Sequence, residues 1–272
     1  MELLRNRDDI FHLSNRLALT VTHFAKGAFP IITGRLEALP VNRMLSILAN
    51  PNGEANFIRD ETARYELNPG TVFFIPAGYP AEVRLEAALQ FVSIQFRFEL
   101  YPGVELFTAL RGVRPEYRPG LVERLGVLFE SENRLLLALE LKKHVAAFAC
   151  DLLAEGGEAP LEFAARFAPY AAVLDYIARH CTAKTRVEEL AKVMHLSREA
   201  FSRRFAADTG ISPKRFFDRQ LVRRASELLH RPRATAREVA AELEFSSEFV
   251  FSRFFKARTG MPPDAYRKLP RI

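Results

Sequence analysis

The sequence predicts an α+β protein in which a small antiparallel β-barrel or sandwich precedes a region made only of helices. Three observations support this prediction: short apolar runs separated by turn residues up to Phe98, a change to helical spacing after Pro119, and an internal repeat in the C-terminal third. With 272 residues, the chain is long enough for two domains that each bury a core of their own.

The strands are predicted from apolar or alternating runs in the first hundred residues. Four such runs stand at residues 17–22, 44–48, 71–75 and 91–96. Turn-forming sequences separate them: Asn50-Pro51-Asn52-Gly53, Asn68-Pro69-Gly70 and Pro76-Ala77-Gly78. Short strands with such regular turns are typical of small antiparallel barrels and sandwiches.

The spacing of apolar residues becomes helical after Pro119. It predicts two helices, near 120–131 and 133–155, before a stop signal at residues 155–160. The second helix carries apolar residues that fit either a subunit interface or a face packed on the barrel: Leu135, Leu139, Val145 and Leu152.

The domain boundaries agree with the charge distribution. We predict a first domain at 1–155, a linker at 156–168 and a helical domain at 169–272. The net charge of +6 is unevenly spread: residues 166–272 hold 22 Lys and Arg against 12 Asp and Glu, while the rest hold 17 against 21. A basic module joined to a mildly acidic one suggests a polyanion-binding function for the basic part.

The sequence also indicates the cellular compartment in which the protein works. The sequence shows neither a signal peptide nor a run of the roughly 20 apolar residues that span a bilayer, so we expect a cytoplasmic protein. Cys150 and Cys181 form no CxxC pair and are expected to be small buried side chains without a redox role.

A repeat of about 50 residues relates 185–216 to 235–266. The two segments match at an offset of 50 over most of their length and at 49 in the middle. The matched pairs include Ser202 with Ser252, Arg203 with Arg253, Phe205 with Phe255, Thr209-Gly210 with Thr259-Gly260, and Pro213 with Pro263. A duplicated structural unit explains a match of this order and spacing.

Each copy has the pattern of a helix, a tight turn and a second helix. Thr185 with Glu188, and Thr235 with Glu238, are predicted capping boxes. The second helix of each copy is predicted to begin after Ser197 or Ser246, to bury phenylalanines spaced by four, and to end at Gly210 or Gly260. A long helix from Pro213 to Leu229, capped by Ser212, is predicted to join the copies. This is the helix-turn-helix pattern.

The outward face of each second helix carries side chains that suit DNA. Arginine matches guanine edges and phosphates, glutamate accepts hydrogen bonds from cytosine, and an apolar ring can meet a thymine methyl group. Two ordinary three-helix bundles are the alternative interpretation, and the duplication together with the basic charge favours DNA binding over it. The predicted DNA-binding residues are Arg198, Glu199, Ser202, Arg203, Arg204, Ser247, Glu248, Phe249, Ser252, Arg253 and Lys256.

The chain from Pro169 to Arg267 resembles the AraC/XylS family of bacterial regulators. The segments that carry the resemblance are 187–191, 196–205, 209–213, 225–229 and, most specifically, 245–267. The resemblance implies that Glu199, Ser202 and Arg203 occupy base-contacting positions in the first unit. It implies the same for the second-unit positions Glu248, Phe249, Ser252 and Arg253.

The sequence departs from the family in the two inter-helix turns. The family has glycine there because the backbone needs a positive φ, but this chain has His195 and Glu244. Histidine tolerates this conformation better than most residues, so we expect strain or a different shape mainly in the second turn.

The N-terminal half is similar to the cupin-like barrels of the same family. The similar segment is 67–80, with its Pro-Gly turn, strand and Pro-x-Gly sequence. The resemblance implies a cupin-like antiparallel β-barrel that binds a small effector, followed by a helical dimerisation segment. Pro80-Ala81-Glu82 stands where metal-dependent cupins carry histidine, so we expect neither a metal site nor a cofactor.

The expected partners are promoter DNA, a small effector, a second copy of the chain and RNA polymerase. Two alternatives stay open: a barrel that only mediates self-association, and a cupin-class enzyme with an accessory DNA-binding domain. Phe73, Phe91 and Phe96 are candidates for effector binding, and core packing is the alternative role for each of them. Arg84 and Arg97 are candidates for contact with an acidic effector, and the alternative is that they lie on a solvated strand face.

Overall fold

The computed structural model describes residues 7–28, 32–36, 41–157 and 159–268. They form two compact units. One unit lies within residues 17–98 and 105–160 and is built on two antiparallel sheets. The other is mainly helical and contains residues 7–16, 99–104 and 161–268.

The larger sheet has six strands in the order β1-β8-β3-β6-β10, with β9 paired to β8. These strands are β1 (Ala18–Ala28), β3 (Asn42–Ala49), β6 (Thr71–Ile75), β8 (Gln90–Tyr101), β9 (Val104–Glu105) and β10 (Arg114–Tyr117). The smaller sheet has the order β2-β7-β4-β5. Its strands are β2 (Ile32–Leu36), β4 (Phe57–Arg59), β5 (Arg64–Glu66) and β7 (Ala81–Leu85). The four predicted strands match β1, β3, β6 and β8.

An apolar core lies between the two sheets. Antiparallel pairing sets Leu45 opposite both Phe73 and Ser93, so alternate residues of β3 face this interior. Phe73 and Phe91 belong to this core, which both sheets build. The core residues are Leu45, Ile47, Ile58, Leu67, Phe73, Ile75, Tyr79, Ala81, Val83, Leu85, Leu89, Phe91 and Val113.

Two helices, α2 (Pro119–Leu128) and α3 (Arg134–Gly156), pack on the opposite face of the larger sheet. The ring of Phe74 lies 5.9 Å from that of Phe148 in α3. Phe96 also turns to this face and contacts Phe107 at 6.4 Å, so it does not line the inter-sheet interior. The predicted helices 120–131 and 133–155 correspond to α2 and α3.

The exposure of α3 divides the four apolar residues for which a subunit interface and packing on the barrel were both open. Val145 and Leu152 are completely buried, which removes them from any subunit contact. Leu135 and Leu139 are 71% and 59% exposed. Among the described helices, none is long and apolar enough to cross a membrane.

The remaining helices follow the predicted pattern from Pro169 onward, with a short 3-10 turn at Ala168–Tyr170. Helix α4 occupies part of the segment predicted as a linker. The helices are α1 (Arg7–Arg16), α4 (Ala159–Ala165), α5 (Ala171–His180), α6 (Val187–Val193), α7 (Arg198–Thr209), α8 (Pro213–Leu229), α9 (Ala236–Glu242), α10 (Glu248–Thr259) and α11 (Pro263–Lys268).

The cysteines differ in exposure. Cys181 is buried as expected, and burial raises the pKa of its thiol to about 11. Cys150 is exposed, so the expectation of two buried cysteines was wrong for this residue.

Candidate nucleic-acid interface

The helical unit contains two copies of the same arrangement, α6-turn-α7 and α9-turn-α10. Both turns contain the same backbone hydrogen bond: the Leu196 N–H donates to the Ala191 carbonyl at 3.0 Å, and the Phe245 N–H donates to the Ala240 carbonyl at 2.9 Å. His195 (φ 54°) and Glu244 (φ 56°) both adopt the left-handed conformation. The second turn therefore has the same shape as the first, and both non-glycine residues hold a conformation that costs energy.

Hydroxyl caps start the second helix of each copy. The Ser197 side chain accepts a hydrogen bond from the Ala200 N–H, and the Ser247 side chain accepts one from the Val250 N–H, each at 3.2 Å. The prediction of Ser246 as this cap was wrong by one residue, because the 50-residue offset matches Ser197 to Ser247.

The caps of α6 and α9 differ. The Thr235 capping box is confirmed: the Thr235 N–H donates to Glu238 at 2.9 Å, and the Glu238 N–H donates back to the Thr235 hydroxyl at 3.2 Å. The box predicted at Thr185 was wrong, since α6 begins one residue later. There the Arg186 N–H donates to the Glu189 carboxylate at 3.1 Å.

Phenylalanines fix the inward faces of α7 and α10. Phe201 and Phe205 of α7, and Phe251 and Phe255 of α10, are at most 1% exposed. Both helices then end at a left-handed glycine, Gly210 or Gly260, as the spacing predicted. Because these faces are buried, the opposite face of each helix is the one turned to solvent.

The outward face of α7 presents four of the predicted DNA-binding side chains to solvent: Arg198, Glu199, Arg203 and Arg204. Ser202 is partly buried between them. Arg198 lies 3.0 Å from Glu188 and Arg204 lies 3.8 Å from Asp208. Within the part of the chain that the structure describes, Arg203 forms no ion pair.

The outward face of α10 presents Glu248, Phe249, Arg253 and Lys256, with Ser252 partly buried. The Phe249 ring is 73% exposed, and the Arg253 guanidinium lies over it at 6.0 Å from the ring centre. Ser247 has a further role that the prediction missed, since its hydroxyl caps the helix on which the other residues stand.

Helix α8 joins the copies over the predicted range from Pro213 to Leu229, with the Ser212 hydroxyl accepting from the Arg215 N–H at 3.2 Å. Sequence reasoning missed Asp218, a buried carboxylate on this helix. Its oxygens lie 2.8 Å from Lys214 on the same helix and 2.8 Å from Arg258 on α10. Asp218 thus ties α10 to the connecting helix, and no periodicity marks such a contact.

Backbone contacts also join the two copies directly. The Ala183 N–H, just before α6, donates to the Leu243 carbonyl in the second turn at 2.8 Å. Beside it, Lys184 lies 3.3 Å from the Glu244 carboxylate. Hydrogen bonding to Thr182, and then to Lys184, lowers the pKa of Glu244. The second turn is therefore held in place by residues that precede the first copy.

Tyr170 is a second residue that sequence reasoning did not identify, and it packs against the buried face of α7. Its ring packs edge-on against Phe205 at 4.7 Å, and its hydroxyl donates to Asp208 at 2.5 Å. Burial and the bond to Asp208 together raise the pKa of Tyr170 to about 12. Tyr170 thus packs against the buried face of α7 and leaves the outward face of this helix exposed.

Comparison with known proteins assigns the C-terminal region. A family model described as a helix-turn-helix domain matches residues 190–269. The HTH-type transcriptional regulator YfiF of Bacillus subtilis is 33% identical over 84 residues, 31% of this chain and 26% of that protein. A putative AraC-like transcription regulator of Streptomyces lividans is 34% identical over 84 residues, 31% of this chain and 28% of that protein.

The shared segment is thus less than a third of the relatives' own length. Among solved structures, apo ToxT of Vibrio cholerae has a TM-score of 0.57 at 11% identity, with 93% of this chain and 97% of that chain covered. This likeness concerns the fold. Residues 190–269 thus match the helix-turn-helix domain family, and this part of the chain is similar to AraC-like transcription regulators.

Proposed function

We propose that the chain is a sequence-specific DNA-binding transcription regulator with two helix-turn-helix units, α6-α7 and α9-α10. The observation that carries the proposal is the duplicated arrangement in which α7 and α10 bury phenylalanines inward and present mainly charged side chains outward. Residues 169–272 would be the DNA-binding domain, 156–168 the linker, and 1–155 a cupin-like sensor and dimerisation domain.

In this mechanism, phosphate contacts supply most of the affinity and the outward side chains of α7 and α10 supply the choice of sequence. Arg203 and Arg253 have the donor geometry for a guanine edge, and Glu199 can accept from a cytosine amino group. Simultaneous binding requires the two recognition helices to enter successive major grooves about 34 Å apart. Helix α8 and the contact from Ala183 to Leu243 are what would hold that spacing.

The interior of the two sheets supports an effector role for the N-terminal unit. The core between the sheets is lined by apolar and aromatic side chains, among them Phe73 and Phe91. Binding sites for small molecules are mostly apolar with a few polar groups. We therefore propose that a small effector with an apolar body binds in this unit. Arg84 is a poor candidate for contact with the effector, because its exposed side chain pairs with Glu86.

The exposed leucines of α3 support a dimer. Leu135, Leu136 and Leu139 are 71%, 50% and 59% exposed in one and a half turns of helix. A cluster of this kind on an isolated chain is typical of protein contact surfaces. We propose that a second copy covers it, and that RNA polymerase is a further partner at the promoter.

The experiment that tests the proposed function is selection of duplexes from a random library by the purified full chain, followed by binding measurements over a range of salt concentrations. We expect an enriched sequence and a linear fall of log affinity with log salt concentration. A preparation that is folded by circular dichroism but selects no sequence would overturn the proposal. Thermal-shift screening with a library of small apolar and amphipathic compounds separates an effector-binding barrel from one that only mediates self-association.

A further inference from the structure

The two recognition helices are similar but differ beside an arginine that they share. At an offset of 50 residues, Ser202 and Arg203 of α7 match Ser252 and Arg253 of α10. One helical turn before the arginine, however, α7 has Glu199 and α10 has Phe249. Residues four apart on a helix share a face, so this difference lies next to the arginine in both copies.

Phe249 has no structural role among the described residues that explains its exposure. The three other phenylalanines of α10, at 251, 254 and 255, are buried or partly buried, whereas Phe249 is 73% exposed. The Arg253 guanidinium lies 6.0 Å from the centre of the Phe249 ring. The exposed ring therefore lies on the outward face, beside the group best suited to guanine.

The chemistry of the base edges then limits what the ring can recognise. A phenyl group makes no ordinary hydrogen bond, and the apolar group that base pairs present in the major groove is the 5-methyl group of thymine. A carboxylate at the matching position has the opposite preference, because it accepts hydrogen bonds from the amino groups of cytosine or adenine.

We propose that Phe249 recognises a pyrimidine 5-methyl group beside the base contacted by Arg253, while Glu199 recognises an amino-bearing base beside the base contacted by Arg203. The binding site is then a pair of unlike half-sites, which fixes the direction in which the chain lies on DNA. This inference rests on the proposed DNA-binding function and specifies its second half-site.

The test uses the full chain and the highest-affinity duplex from the selection, in which each thymine is replaced in turn by deoxyuridine. This replacement removes one methyl group and keeps base pairing. At one thymine we expect the affinity of the wild-type chain to fall about fourfold, the factor that corresponds to about 0.8 kcal/mol for one buried methyl-sized group. The Phe249→Ala variant should bind the thymine and deoxyuridine duplexes equally.

Exchanging the two side chains between α7 and α10 tests the proposed roles of both Phe249 and Glu199. Phe249→Glu should lose its preference for the methylated base and select an amino-bearing base there, and Glu199→Phe should gain sensitivity to deoxyuridine in the first half-site. Because both side chains are exposed, circular dichroism and the melting temperature should match those of the wild-type chain.

Three results would overturn the inference. One is a wild-type chain that tolerates deoxyuridine at every position, and another is an equal loss in the wild-type chain and Phe249→Ala. The third is a Phe249→Ala variant with normal DNA affinity but no promoter activity, which would assign the ring to a protein partner. Failure of the proposed function itself is distinguishable, because the wild-type chain would then select no sequence at all.

Discussion

The carboxylate of Asp218 lies 2.8 Å from the Arg258 guanidinium, and this contact joins the middle of α8 to the end of α10. Asp218 is only 4% exposed, whereas the two cations that meet it, Lys214 and Arg258, are about half exposed or more. The pair is therefore less screened by solvent than the surface ion pairs around it. This ion pair connects α8 to α10.

We expect Asp218→Asn to lower the free energy of unfolding by about 1–3 kcal/mol, because a buried acceptor loses its charge while both cations stay in place. Urea denaturation of the full chain measures this loss. Asp264→Asn is the control, since Asp264 is exposed and lies 3.9 Å from Arg267; it should change stability by less than about 0.5 kcal/mol. Equal effects of the two substitutions would contradict a structural role for Asp218.

His195 and Glu244 hold a left-handed backbone conformation in the two turns, so we expect glycine at these positions to stabilise the fold. His195→Gly should raise the free energy of unfolding by about 0.5–1 kcal/mol, because glycine removes the cost of a Cβ at positive φ. Glu244→Gly should gain less, since it also removes the contact with Lys184. Chemical denaturation measures both. Gly210→Ala, at φ 76°, is the reverse control and should be destabilising. A loss of stability in His195→Gly would show that the imidazole makes a compensating contact.

Much of the helical unit could be predicted because its signals are local. Gly210, Ser212 and Pro213 fix the end of α7 and the start of α8 through their own backbone preferences, and the structure confirms both. The errors at Thr185 and Ser246 are also local. An offset that changes between 49 and 50 leaves two candidate residues for one cap, and only the backbone geometry chooses between them.

Contacts between distant residues could not be predicted. Asp218 and Tyr170 carry no motif, and their partners lie 40 and 38 residues away in sequence. Nor could the sequence separate the inward from the outward face of α3, where apolar residues lie all around the helix. For this reason the sequence alone does not distinguish Val145 and Leu152, which are in the core, from the exposed Leu135 and Leu139.

The raised pKa of Tyr170 predicts a pH dependence. A group whose pKa is higher in the folded state stabilises it below the unfolded value, about 10 for tyrosine, and loses that contribution as pH rises to about 12. Thermal melting should therefore show a steeper loss of stability between pH 10 and pH 12 in the wild-type chain than in Tyr170→Phe. Tyr117→Phe, at an exposed ring, is the control. Parallel curves for the wild-type chain and Tyr170→Phe would refute the coupling to Asp208.

If the exposed leucines of α3 form a subunit interface, the protein is a dimer in solution. Leu139→Glu should leave the melting temperature of a monomer unchanged, because the side chain is 59% exposed. If a second copy covers this face, burial of an unpaired carboxylate opposes association. Sedimentation velocity should then show a dimer for the wild-type chain and a monomer for the variant. Tyr117→Glu, at a 75% exposed site on β10, should stay dimeric. A monomeric wild-type chain would contradict the proposal.

The outward arginines and lysine should differ in what they contact. Arg203→Ala and Arg253→Ala should each cost about 1–3 kcal/mol on the selected duplex and little on random DNA, because a base contact is lost only where the right base is present. Lys256→Ala, on the last turns of α10, should weaken binding to both duplexes alike and reduce the salt dependence by about one counterion, as expected for a phosphate contact. Fluorescence anisotropy at several salt concentrations gives both quantities. Equal losses on selected and random DNA for Arg203→Ala would make Arg203 a phosphate contact and would leave base recognition in the first unit to Glu199 and Ser202.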